Sequence, residues 1–262
     1  MSVVIKAGVT NTNLPRIGWR AIEGTIAASS EAAGFEAALA ALPETYNAWK
    51  PDAMPASWEI DAGAPVPVDY CAIGAHEIGS NGGTVFVEYE DDGWQTVLQL
   101  TPEDDTAILF LFPEIEAQEW RIRVTGATAP RIGNIRFGQV TTLPRQSVFA
   151  PELPITEAEQ FTYNVNLSTT GEWLGRSVVA SGLEFSVTVE HVPEAFAAGE
   201  WAAFRRHCNE GDATFYIAPK PDAYAREVAY SWPLETVRAE RSLNNKNVSR
   251  EILLQCGGYK KP

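Results

Sequence analysis

Alternation of apolar and polar side chains with a period of two is the feature that most limits what this chain can fold into. In "EWRIRVTG", Trp120, Ile122 and Val124 share one face, while Arg121, Arg123 and Thr125 share the other. That is the pattern of a β-strand with one side buried. The same period runs through "TVFVEYE" (Val85, Val87, Tyr89), "QFTYNVNLS" (Phe161, Tyr163, Val165, Leu167) and "LEFSVTVEH" (Phe185, Val187, Val189). Turn formers punctuate these runs at "SNGG" (80–83), "DDG" (91–93), "TTG" (169–171) and "NNKN" (244–247), so the strands are expected to return on one another as hairpins. One segment departs from the pattern. In "PEAFAAGEWAAFRRHCNEG" the residues Ala197, Trp201, Phe204 and Cys208 recur at helical spacing between Pro193 and Gly211, which predicts one amphipathic helix over about 194–209. A shorter Ala-rich piece at 36–43, stopped by Pro43, is a second, weaker helical candidate.

The stretch "TTLPRQSVFAPELPITEAE" holds three prolines and no sustained period, and it reads as a domain boundary. The expected plan is therefore mainly β: residues 1–140 as a β-sandwich, 141–160 as a Pro-rich linker, and 161–262 as a second β domain, barrel-like, with one packed α-helix. A chain of 262 residues is long enough for two such units.

Net charge of −14 with 20 Lys and Arg scattered along the chain gives a surface that repels phosphate backbones, so nucleic-acid binding is not expected. The N-terminus "MSVVIKAGVTNTN" has no long apolar run, which points to synthesis in a cytosol and to no membrane insertion. Cys71, Cys208 and Cys256 are far apart and form no C-x-x-C, as suits buried free thiols.

Motifs that resemble chemistry fail at their key positions. "HEIG" at His76 has Ser80 where a zinc-binding second histidine belongs. "EYEDDG" opens like a calcium loop, but Gln99 stands at the position of the bidentate carboxylate, and Asp92-Gly93 suits a hairpin turn better. "GRSVVASG" is not G-x-S-x-G, because Val179 replaces the last glycine. His191 ends a strand, and His207 is expected on the outer side of the helix. No catalytic residue, metal site or cofactor is expected, and the chain is not read as an enzyme. The candidates for ligand contact are Trp94, after the 91–93 turn, and Asn81, which together offer an aromatic platform and a polar group.

"GTIAASSEAAGFEAALAALPETYNAWKPDAMPASWEIDAG" resembles the opening of a discoidin-type, galactose-binding-like domain: Ala28-Ser29-Ser30, then Thr45 with Trp49, then Trp58, Asp61 and Gly63. "EWRIRVTGATAPRIGNIRFG" is similar to the closing strands of that family. The resemblance covers residues 17–139 and implies a jelly roll. In it "ASWEIDAG" is a core strand, Asp61 forms a turn before Gly63, "APVP" ends the strand, and "VDYCAIGAH" is the next one. Members of that family often bind sugars or lipid head groups through loops at one end, here near 47–55, 79–83 and 91–94. No ligand residue carries over from its fucose-binding members.

"GEWLGRS" (171–177) and "FYIAPKPDAYAREVAYSW" (215–232), the latter after a helix, resemble tail-tip proteins of long-tailed bacteriophages. That resemblance implies a structural virion protein of the distal tail or baseplate. It would form a homo-oligomeric ring between tail tube and hub proteins, with the sandwich projecting toward the host. The other expectation is a carbohydrate-binding module that recognises cell-surface glycans.

Overall fold

The computed structural model describes residues 2–147, 154–244 and 247–260. In chain order the strands of the first half are β1 (Val3–Ile5), β2 (Arg16–Gly18), β3 (Thr25–Ala28), β4 (Ala56–His76), β5 (Thr84–Glu90), β6 (Trp94–Leu100), β7 (Ile108–Thr125), β8 (Ile132–Gly138) and β9 (Thr141–Thr142). The second half has β10 (Glu159–Leu167), β11 (Trp173–Val192), helices α1 (Glu194–Ala198) and α2 (Glu200–Glu210), then β12 (Phe215–Ala218), β13 (Ala229–Pro233), β14 (Glu240–Asn244) and β15 (Asn247–Gly258). The protein is mainly β, an N-terminal jelly-roll sandwich followed by a barrel-like β unit with packed helix.

Two long strands build the sandwich. The first part of β4 pairs with the end of β7 (Trp58↔Ile122), and its last part pairs with the start of β7 (Cys71↔Phe110). The ladder loses register between Asp61 and Val66. One layer is β3-β4-β7-β5-β6; the continuation of β4 and β7 joins β8 and β1 in the other. Trp58, Trp120, Val87, Ile73, Phe110 and Phe137 meet in one core, because alternate residues of both layers point inward. The expected break at "APVP" is therefore corrected: β4 runs on through Pro65 and Pro67, and the bulge takes up the bend. Asp61 forms the turn as expected, its Oδ1 accepting the Gly63 N–H at 2.8 Å where Gly63 has φ +74°.

Arg16–Gly18, placed by sequence within the sandwich, is a strand of the second sheet, where Ile17 pairs with Ile217. In the proline-rich connection, Thr141–Thr142 pairs with the same strand and Ile155–Glu157 forms a 3-10 turn; residues 148–153 of it lie outside the described residues. The second sheet runs β10-β11-β15-β13-β12-β2-β9, with β14 on β15. One face carries Phe185, Val187, Ile217 and Leu254 against Trp201, Phe204 and Cys208 of the helix. The helical spacing thus identified the buried face. The helix itself is in two pieces, divided at Gly199, whose φ −99° and ψ −96° are not helical.

The opposite face of β12 and β13 packs on the sandwich. Tyr216, Ala218 and Tyr230 join Tyr70, Leu109 and Leu111 in a third cluster. Buried tyrosine hydroxyls need partners, and here each finds one across the seam. Tyr216 donates to Asn134 Oδ1 at 2.7 Å and Tyr230 to the Pro43 carbonyl at 2.6 Å. Arg136, 4% exposed, donates to the Thr214 carbonyl at 2.7 Å. Gly74 lies in this seam because a Cβ there would stand 2.8 Å from the Tyr216 hydroxyl.

Candidate functional site

Asn81 and Trp94 do not share a site. Asn81 is in the connection from β4 to β5, beyond Thr84, whereas Trp94 opens β6 opposite Glu90, the last residue of β5. The seven residues of β5 separate the two ends, six steps or about 20 Å at a rise of about 3.3 Å per residue. Trp94 is also partly covered, with the Arg121 guanidinium 4.0 Å from its ring centroid. Arg121 Nε is held by Glu88 at 2.7 Å, and Arg123 reaches the same carboxylate at 2.7 Å. Glu88 is 2% exposed; these hydrogen bonds outweigh burial and hold its carboxyl below the usual range.

Four connections of the sandwich gather at one end: 29–55, 77–83, 101–107 and 126–131. His76 ties two of them together. Its Nε2 donates to the Thr106 carbonyl at 2.7 Å and its Nδ1 accepts from the Ile78 N–H at 3.2 Å, a neutral ring used as a brace. Trp49 and Trp58 are buried, their indole N–H groups donating to the carbonyls of Ser30 at 3.0 Å and Ala37 at 2.9 Å. Both tryptophans of the opening pattern are thus architecture. Tyr46 is the exception at this end: it is 75% exposed, and Arg131 donates to its carbonyl. The sequence offered Tyr46 no distinguishing signal, since it lies in a run without periodicity.

His207 and the three cysteines are likewise committed to the fold. His207 is turned inward, not outward as expected: its Nε2 donates to the Thr214 carbonyl at 2.8 Å and lies 3.0 Å from Asp212. Cys71, Cys208 and Cys256 are free and buried; burial pushes the Cys208 thiol up to about 12, which keeps it protonated and a poor nucleophile. Among the described residues no group of three or more His, Cys, Asp or Glu is placed to hold a metal, and no helix is long and apolar enough to cross a membrane.

Surface that remains unexplained is concentrated on β10 and β11. Past Leu183, which pairs with Gly258 at the end of β15, the two strands pair only with each other among the described residues. They leave the sheet as an arm of about 30 Å, counting ten residues to Trp173. Tyr163, Val165 and Leu167 on β10, and Trp173, Leu174, Val178 and Val179 on β11, are 38–66% exposed. Register places Tyr163 opposite Val178 and Leu167 opposite Trp173 on one face, while Asn164 opposes Ser177 on the other. Val179 and Leu174 are the extra residues of two bulges. The period of two in "QFTYNVNLS" identified a strand correctly, but the face it marks is open to solvent.

No family model matches the chain and no curated protein matches it. Solved structures similar to it include the family 32 carbohydrate-binding module from C. perfringens NanJ in complex with galactose, at 22% identity, covering 48% of this chain and 99% of that one, with a TM-score of 0.40. Chitosan-binding module 2 of a Paenibacillus sp. IK-5 chitosanase/glucanase, in complex with chitotriose, has 21% identity, coverages of 45% and 98%, and a TM-score of 0.40. A pectin-binding carbohydrate-binding module has 14% identity, coverages of 46% and 93%, and a TM-score of 0.40. The jelly-roll assignment itself stands on the strand pairing described above.

Proposed function

We propose that this chain is a non-catalytic recognition and assembly protein, whose second half self-associates through the β10–β11 arm and whose sandwich is displayed as a recognition module. The observation that carries this reading is the arm's apolar face. An isolated two-stranded hairpin is marginal in water, and a contiguous exposed apolar surface of this kind marks an interaction site. The motif "GEWLGRS" falls at the arm's tip, so this part of the resemblance to phage tail-tip proteins concerns a segment free to make assembly contacts, whereas "FYIAPKPDAYAREVAYSW" supplies the buried seam strands β12 and β13 and, at its end, the exposed Trp232. That supports a place in the distal tail or baseplate of a virion, as a homo-oligomeric ring beside tube and hub proteins. Sedimentation velocity over a concentration series tests the assembly: the wild-type chain forms a discrete oligomer, and Leu167→Ser with Trp173→Ser shifts it to monomer. A wild-type chain that stays monomeric at every concentration overturns the reading.

A second reading, glycan recognition by the sandwich, is favoured by the gathering of four connections at one end beside the exposed Tyr46. Sugar sites pair an aromatic platform with a few polar groups, which Tyr46 and Asn47 at this end offer. Binding on a glycan array that is lost in Tyr46→Ala but kept in Trp94→Ala supports this site; the reverse result moves it to the far end of β5.

A further inference from the structure

We infer that the arm of one copy docks on the uncovered part of the second sheet of another copy, over Trp232, Leu234 and Leu253. This rests on the assembly reading and adds the surface that receives the arm. Leu253 lies between Ile252 and Leu254, which face the helix, so its side chain is on the other face, and it is 50% exposed. Trp232 pairs with Gly257, where a Cβ would stand 2.6 Å from the indole nitrogen; the glycine lets the indole lie across β15. With Trp232 37% and Leu234 47% exposed, the sandwich covers β12 and β13 on this face but leaves this corner open.

Within one copy the base of the arm borders the corner, where Gln160, Thr162 and Ser181 line one recess with Trp232 and Leu234, but the arm's apolar tip cannot reach it. Trp232 and Leu253 align through β15 with Glu184 and Thr188 of β11, at least eleven residues from Trp173, or about 36 Å along a rigid strand. Two complementary apolar surfaces that cannot meet in one molecule can meet between copies, in a head-to-tail contact that closes into a ring or runs on as a filament. The arm offers on the order of 700 Å² from seven large side chains about half exposed and the corner on the order of 300 Å² from three, so the contact is smaller than a standard interface, in which each partner contributes about 800 Å². Charge agrees as well. Across residues 161–181 the charged residues are Glu172 and Arg176, and the Arg176 guanidinium lies on the apolar face, 4.0 Å from the Tyr163 ring centroid. Glu184, Glu235, Glu240 and Glu251 surround the corner together with Arg238 and Lys260, so the arm's single cation meets a rim in which carboxylates outnumber cations.

Two full-length variants, Leu174→Cys and Leu253→Cys, mixed one to one and treated with a short bis-maleimide, test this contact, since the native cysteines are buried. A covalent dimer in the mixture that exceeds either variant alone by tenfold or more supports the inference. If the mixture gives no such dimer although sedimentation shows the chains associated, the arm binds elsewhere and only this inference falls. If neither variant nor wild type associates, the assembly reading falls with it. Leu253→Glu is the independent check: it weakens association at least tenfold if the corner receives the arm, and association unchanged by it overturns the docking surface.

Discussion

Replacing Asp69 with Asn makes the protein more stable at neutral pH and leaves it nearly unchanged in acid. Asp69 lies on β4 beside the passage from the sandwich into the second sheet, where its Oδ1 accepts the Val140 N–H at 2.7 Å. Burial raises its pKa to about 6 against an ordinary value of 3.8, despite that hydrogen bond and the nearby Arg16. Because the folded value lies above the unfolded one, the contribution to stability is fully present below pH 3.8 and is lost as pH rises through 6. Two pKa units at about 1.36 kcal/mol each cost about 3 kcal/mol at pH 7.5, or about 2 kcal/mol once partial solvent contact is allowed for. Asparagine keeps the acceptor and removes the charge. At about 2–4 °C per kcal/mol for a chain of this size, the melting temperature at pH 7.5 rises by about 4–8 °C. Calorimetric scans of both proteins at pH 4 and pH 7.5 check this. An equal shift at both pH values, or a lower melting temperature at pH 7.5, refutes the reasoning.

Glu88→Gln removes the carboxylate that both Arg121 and Arg123 engage and costs about 2–3 kcal/mol in chemical denaturation at pH 7, since breaking a buried pair leaves charge uncompensated. Its folded pKa is lowered, so its contribution exists above the ordinary value of 4.5 and fades as pH falls; the gap between variant and wild type narrows by pH 3. Trp58→Ala empties part of the sandwich core and removes the indole N–H that donates to the Ala37 carbonyl, costing about 3–5 kcal/mol by the same assay. The three cysteines stay unreactive toward a thiol reagent in native buffer and all titrate in guanidinium, as their burial requires.

Elements whose logic is local were legible in the sequence. Trp120, Ile122 and Val124 alternate because one face of β7 is buried, and Trp201, Phe204 and Cys208 recur because one face of α2 is. Asp92 and Gly93 have φ +50° and +113°, the turn their residue types imply. What depends on distant partners was not legible. Ile17 belongs to the second sheet through Ile217, 200 residues away, and nothing near it in sequence records that. Pro65 and Pro67 read as the end of a strand, but the ladder absorbs them at a bulge. The alternation in β10 states which side chains share a face and is silent on whether that face is covered. Asn81 and Trp94 looked like partners because each lies near a turn; the length of β5 keeps them apart.

In the proposed assembly the protein works through the apolar arm of β10 and β11. Hydrogen exchange followed by mass spectrometry at low and high protein concentration tests it most directly. Amides within residues 161–180 are expected to become protected as concentration rises, while those of the core strands β4 and β7 stay unchanged. Equal exchange of the arm at both concentrations, with the sample shown to be oligomeric, contradicts it.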